Sequence, residues 1–346
     1  MRKGLVMNRQ NRTVRRALVA LAAATLLGTA GTLPAAAAAH RPAPAVIAGH
    51  APTLVPETAV WDAAHHRFLV GSLRHGTVSA VAVDGSVRTL IDDPDTLIEI
   101  AGLRIDQAHR RILVTNLDNG IGERTSPATL GRVAGIAAYD LDTGRRLFYT
   151  DLAAVAADGG AHLANDIAVD PAGTAYVTDS FAPYVYQVDP DGTGSVLLRD
   201  DRLTAPAGSY GLNGIAYQGG RLILGKWDDG TLWQVPLGDP AALRRVEVAD
   251  GGALLHLDGI FARPDGTLAG VTNLFYGAGR DAEVELRSDD HWRTARLTAV
   301  HPSTDPTPTA VTTGPAGALY QLSGGLTEAN AGHPTDTFVL RRVRPA

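Results

Sequence analysis

The sequence predicts an all-β chain folded as a six-bladed β-propeller, with an N-terminal strand closing the last blade. Three observations carry this: six segments share one strand–turn–strand pattern, most are followed by a second strand pair, and the last unit is one strand short. The six segments are TAVWDAAHHRFLVGS (58–72), GLRIDQAHRRILVTN (102–116), DIAVDPAGTAYVTDS (166–180), GIAYQGGRLILGK (214–226), GIFARPDGTLAGVTN (259–273) and AVTTGPAGALYQLSG (310–324). Each sets alternating or short apolar runs around Asp, Pro and Gly turn chemistry.

The following pairs are VSAVAVDGSVRTLI (78–91), GIAAYDLDTGRRLFY (135–149), YVYQVDPDGTGSVLL (184–198) and TLWQVPLGDPAALRRVEV (231–248). Asp-Gly and Asp-Thr-Gly stand where hairpins need them. After the sixth segment only TFVLRRV (337–343) remains. The missing strand is expected from around Pro44–Ile47 or Thr53–Val55, which ties the ends together and removes an open sheet edge. A solenoid or a two-sheet sandwich would leave the short last unit unexplained.

Composition agrees. Of 346 residues, 45% are hydrophobic and 19% charged, enough for a large core. Aromatics are only 5%, so Val, Leu, Ile and Ala must fill that core. The absence of cysteine excludes disulfides, thiolate zinc sites and a cysteine nucleophile.

Residues 1–39 carry Arg2, Lys3, Arg9, Arg12, Arg15 and Arg16 and no acid, followed by an apolar stretch, ALVALAAATLLGTA (17–30), and the alanines 35–39. That order is a secretory signal peptide, and Arg15-Arg16 resembles the pair of a twin-arginine signal. The apolar stretch is short for a membrane span. The mature chain, a single domain over 40–346, is expected to be secreted or extracytoplasmic, monomeric, and free of stable membrane insertion. It keeps 25 basic against 36 acidic residues, a net of −11, which argues against a nucleic-acid partner.

Aligned on their turns, the six units place Glu57, Ala101, Asn165, Asn213, Asp258 and Thr309 just before the first strand. In a propeller the first strand lines the central channel, so these positions converge at one mouth. Four offer oxygen donors: Glu57, Asn165, Asn213 and Asp258. Asn and Asp also serve turns, but four at one repeat position point to a shared ligand. An all-oxygen set with two carboxylates suits Ca²⁺, or else Mg²⁺, rather than zinc.

The residues Pro56-Glu57, Asn165-Asp166 through Asp170 and Gly173, Leu212-Asn213-Gly214 and Leu257-Asp258-Gly259 resemble the senescence-marker-protein-30/gluconolactonase group of six-bladed propellers. Their Glu, Asn, Asn, Asp order is also similar to diisopropyl-fluorophosphatases and paraoxonases. The resemblance spans most of 52–345. It implies a divalent metal, usually calcium, in the channel and hydrolysis of a lactone or related ester. Glu57, Asn213 and Asp258 match the family's metal ligands, Asn165 a residue facing metal or substrate, and Asp258 also its general base. Sugar-lactone members tend to have Arg where this chain has Leu163. Leu offers no fork of donors for hydroxyls, which favours a more apolar lactone or ester.

His162 and His256 stand three and two residues before Asn165 and Asp258 and are the alternative proton carriers. Asp179, Lys226 and Asn273 end second strands on the same side. The insertion LDNGIGERTSPATLGR (117–132) is either a lid, with Ile121, Glu123 or Arg124 selecting substrate, or a surface excursion. No serine elbow, P-loop, dinucleotide fingerprint or zincin motif is present. Two functions fit: an exported metal-dependent hydrolase of a small lactone or ester, or a non-catalytic propeller binding a small ligand or partner with a structural calcium.

Overall fold

The computed structural model describes residues 43–249 and 251–343; the expected leader, 1–39, lies outside them. Their strands form six sheets. The innermost strands are Pro56–Asp62, Leu103–Asp106, Ala164–Val169, Leu212–Tyr217, Leu257–Ala262 and Pro308–Thr313. Each packs against the next in chain order, and the sixth returns to the first. The ring is closed, as the repeat predicts.

Blade one shows the pattern: Pro56–Asp62, Arg67–Ser72, Thr77–Ala82 and Val87–Asp92 pair in sequence, all antiparallel. Blade six is completed from the other end of the chain. Val46–His50 pairs antiparallel with Thr337–Arg342, with Ala48 opposite Val339. This agrees with the first of the two expected segments. Alternation places Ile47 in the core while Val46 and Ala48 face out.

One strand is shared differently from the expected order. The run TLWQVPLGDPAALRRVEV (231–248) reads in the sequence as the second strand pair of blade four. Only Arg244–Arg245 pairs there; Glu247–Ala249 crosses to lie parallel to Thr294–Pro302, the fourth strand of blade five, and becomes the edge of that sheet. Val246, between them, is buried in the seam between blades four and five, and this anchors the crossing.

Apolar clusters fill the seams between blades. Buried Val60, Leu69 and Leu103 join blades one and two. Similar clusters join two to three, three to four, four to five and six to one. The seam between five and six is the thinnest, with Ala269, Val271, Val311 and Leu319 as its buried cluster. Among the described residues no helix is long and apolar enough to cross a membrane.

The closing strand gives a stability prediction. A Cβ on Gly49 would lie 2.1 Å from the Phe338 ring, which is itself buried. Gly49→Ala should therefore destabilise the chain by about 1–3 kcal/mol through overpacking. Gly238, with no atom within 4 Å of such a Cβ, is the control and should stay close to neutral on mutation to Ala. Urea unfolding of both variants checks this; equal midpoints would mean the closing strand does not hold the ring.

Candidate functional site

The repeat position is also a repeated distortion. Ladder register shifts between Pro56 and Thr58, Ala164 and Ile167, Leu212 and Ile215, Leu257 and Ile260, and Pro308 and Ala310. Such bulges leave a residue unpaired and re-aim its side chain. The residues inside them are Glu57, Asn165-Asp166, Asn213-Gly214, Asp258-Gly259 and Thr309. The glycines serve close approach: a Cβ on Gly214 would lie 2.4 Å from the Asp258 carbonyl oxygen, and one on Gly259 2.7 Å from that of Thr309.

The structure brings Glu57, Asn165, Asn213 and Asp258 together on one cavity of about 490 Å³ counting its open mouth. Asn165, Asn213 and Asp258 are buried, and Glu57 is partly so. Ala101, from blade two, reaches the same cavity without a donor. The Thr309 hydroxyl instead donates to the Glu57 carbonyl at 2.6 Å. Leu73, Leu117, Ile121, Leu163, Tyr210, Trp227, Phe275 and Leu326 supply apolar walls above this polar floor. Leu163 thus stands in the wall, as its place in the sequence suggested.

Beneath the floor lies a second cavity that shares Glu57, Ala101, Asn165 and Asn213 and adds Arg104 and Asp166. Asp166 Oδ2 accepts from Arg104 Nη2 at 3.0 Å and from Ile215 N at 3.3 Å. Sequence reasoning passed over this pair, although Asp166 adjoins Asn165 and Arg104 follows Gly102. The floor therefore gathers three carboxyl groups and one guanidinium. Burial, then Asp258, then Asp166 push the Glu57 carboxyl well above its ordinary range. Burial lifts Asp258 to about 7, while the Asn273 amide pulls the other way.

Asn273 Nδ2 donates to Asp258 Oδ2 at 2.6 Å. Asp258 Oδ1 is buried with no hydrogen-bond partner. An orphaned carboxylate oxygen among convergent oxygen donors is what a hard divalent cation would satisfy. The donor set fits such an ion.

The two histidines sit elsewhere. His162 is buried, with Nδ1 at 2.7 Å from Asp179 Oδ2 and Nε2 at 2.9 Å from Asp158 Oδ1. The Asp179 bond first, then Asp158, raise its pKa against the opposing effect of burial. It is not among the residues lining the cavity. A histidine held charged between two carboxylates braces a loop and is a poor base. His256 stacks on Trp227 with ring centroids 3.8 Å apart and donates from Nδ1 to the Asn273 carbonyl at 3.2 Å. That bond assigns the proton to Nδ1 in the neutral ring.

Asp179 also accepts from the backbone of Leu163, Phe181 and Ala182, so it shapes the rim. Lys226 is tied to Asp228 and Asp229 within its own loop.

The insertion is neither free excursion nor open lid. Glu99 Oε1 accepts from the backbone N–H groups of Asn119, Gly120, Ile121 and Gly122 at 2.8–3.2 Å. Asp118 accepts from the Thr125 and Thr129 hydroxyls. Asn119 and Ile121 are thereby fixed in the cavity wall. Glu123 pairs with His75, and Arg124 donates to the Leu97 carbonyl, so both brace the loop.

Burial outweighs the four N–H bonds and lifts the Glu99 carboxyl to about 7. A carboxyl raised by folding adds stability below its unfolded value of 4.5 and loses it as pH rises through about 7. Glu99→Gln keeps an accepting oxygen and never ionises. Its stability relative to wild type should therefore rise between about pH 5 and about pH 8.5, by at most about 3 kcal/mol. Urea midpoints at the two pH values test this, and a difference flat with pH would place Glu99 ionised throughout.

No family model matches this chain, and no curated protein sequence matches it. Solved structures do. The major allergen Mala s 1 of Malassezia sympodialis superimposes with TM-score 0.70 at 19% identity, covering 87% of this chain and 96% of the allergen. Regucalcin of Agrobacterium tumefaciens, described as calcium-binding, gives TM-score 0.56 at 16% identity over 86% and 95%. A gluconolactonase of Xanthomonas campestris gives 0.53 at 18% identity over 86% and 87%. At these identities the likeness is one of fold, and the fold is a six-bladed β-propeller.

Proposed function

We propose that the chain is an exported, monomeric, divalent-cation-dependent hydrolase of a small apolar lactone or ester. The observation that carries this is a floor of four convergent oxygen-bearing side chains, one with an orphaned buried carboxylate oxygen, under apolar walls. Glu57, Asn165, Asn213 and Asp258 would hold the ion, Ca²⁺ or else Mg²⁺. Once bound there, such a cation supplies Lewis-acid polarisation of the substrate carbonyl.

The chain's own groups supply the rest. Leu73, Leu117, Ile121 and Leu163 exclude water and receive the apolar part of the substrate. Asn273 fixes Asp258 through Oδ2, so Oδ1 would both face the ion and, through its second lone pair, take the proton of an attacking water. His256, whose Nδ1 donates to the Asn273 carbonyl, is the second candidate carrier through Nε2. His162 is the weakest, because both its nitrogens face carboxylates.

A screen of lactones, aryl esters and organophosphates with and without chelator tests the reading. Chelator-sensitive turnover supports it; cation binding without turnover favours the binding propeller. N-terminal sequencing of the secreted chain tests export, with a start near His40 expected.

Two substitutions sharpen the mechanism. Asp258→Asn keeps the shape and an oxygen but loses charge and basicity. At saturating cation, hydrolysis should fall by about 10²-fold or more. A rate equal to wild type would pass the role of base to His256. Leu163→Arg places a charge in the apolar wall and should lower kcat/KM for the best apolar ester by about tenfold or more. Unchanged selectivity would remove Leu163 from the substrate pocket.

A further inference from the structure

We propose that Glu283, Glu285 and His301 form a second divalent-cation site, in the seam between blades five and six, suited to a first-row transition ion such as Zn²⁺ or Mn²⁺. Glu283 and Glu285 lie on Ala282–Arg287 and His301 on the neighbouring strand Thr294–Pro302. None of the three lines the central cavity.

Register places them on one face. Glu283 stands opposite His301 on one side and opposite Val271 on the other. Residues opposite in an antiparallel pair share a face, as do residues two apart on a strand. Val271 packs against Val311 and Leu319 of blade six, so this face is the one turned to that blade. One donor atom from each of the three side chains lies within 4.8 Å of the others. His301 Nε2 is 3.8 Å from Glu283 Oε2, too far for a hydrogen bond.

Glu283 itself points to a ligand. It has no exposed surface, and neither carboxylate oxygen has a hydrogen-bond partner. Its nearest charged neighbours do not resolve this. Glu285 repels it, and Arg263 is engaged by Glu285 Oε1 at 3.0 Å. An uncompensated buried carboxylate is strongly disfavoured.

A cation shared by two carboxylates and an imidazole would compensate it. A nitrogen donor beside carboxylates favours transition ions over calcium. Tetrahedral donors at about 2.1 Å from an ion stand about 3.4 Å from one another. Rotamer changes at Glu285 and His301, both partly exposed, can close the present spread. The ion would clamp the two outer strands of the blade that carries Asp258, at the seam with the thinnest apolar packing.

The test uses the full chain, stripped by chelator and then saturated with Ca²⁺ to fill the central site. Titration with Zn²⁺ by calorimetry should find one further ion per chain, with a rise in Tm. Glu283→Gln and His301→Ala should each weaken Zn²⁺ binding at least tenfold and abolish the rise. Asp258→Asn should keep both. Because His301 is partly exposed, its variant stands even if Glu283→Gln fails to fold. No Zn²⁺ or Mn²⁺ binding, or binding indifferent to both substitutions, overturns the proposal. Glu283, lifted by burial to about 8, would then be a neutral buried acid.

Discussion

The site depends on hydroxyl-to-carbonyl bonds that tie the bulged residues Glu57, Asn165 and Asn213 to the neighbouring blade. Thr115 of blade two donates to the Asn165 carbonyl at 3.0 Å, and Thr178 of blade three to that of Asn213 at 2.6 Å. Thr309 of blade six donates to that of Glu57 at 2.6 Å. A bulge removes ladder bonds and would leave these buried carbonyls unsatisfied. The hydroxyls replace those bonds from the side, so the distortion is held by the ring as a whole. At Asp258 the equivalent work is done by contact: Gly214 has no side chain where the Asp258 carbonyl passes. Each donor thus has a backbone position fixed by its neighbour.

That rigidity has an electrostatic consequence. Glu57, Asp166 and Asp258 are held together with Arg104 as the one guanidinium at the floor. Flexible carboxyl groups would turn towards water and away from each other. Here the bulges and the apolar walls prevent it, and burial first, with the neighbouring carboxyl groups adding to it, raises the pKa values of Glu57 and Asp258. A bound cation of the kind proposed would relieve that crowding of carboxyl groups. The contrast between walls and floor divides the chemistry: water-excluding leucines above, oxygen donors below.

The fold and the ring were legible because both follow from a local period. Asp-Gly and Pro-Ala-Gly turns recur at fixed offsets from the apolar runs, and aligning them brings one residue per blade to the axis. What lay beyond reach were partners far apart in sequence. His162 looks like a free loop histidine until Asp158 and Asp179 are seen at its two nitrogens. The insertion looks unanchored because Glu99, which gathers four of its N–H groups, belongs to the segment before blade two. The crossing of Glu247–Ala249 to blade five was hidden because a β-rich run specifies a strand without specifying its neighbour. The wall residues Tyr210, Trp227, Phe275 and Leu326 carry no periodic signal at all, since they come from the connections between strands, Leu326 from the short helix Leu326–Asn330.

Blade five shows how polar contacts take over where apolar ones are few. Its seam with blade six has the smallest buried cluster, yet it carries Asp258, whose orientation matters most to the proposed reaction. Apolar packing sets the distance between blades but has no direction. Asn273 donates at once to Asp258 Oδ2 and, at 3.3 Å, to the carbonyl of Pro308 at the start of blade six. One amide thus orients the carboxylate and measures the seam. Hydrogen bonds of this kind are directional and lose strength steeply when bent. Any slip of blade six against blade five would therefore release Asp258 Oδ2 before it disturbed the apolar core. The placing of Asp258 is inherited in part from this one amide, and whatever stiffens that seam acts on Asp258 through Asn273.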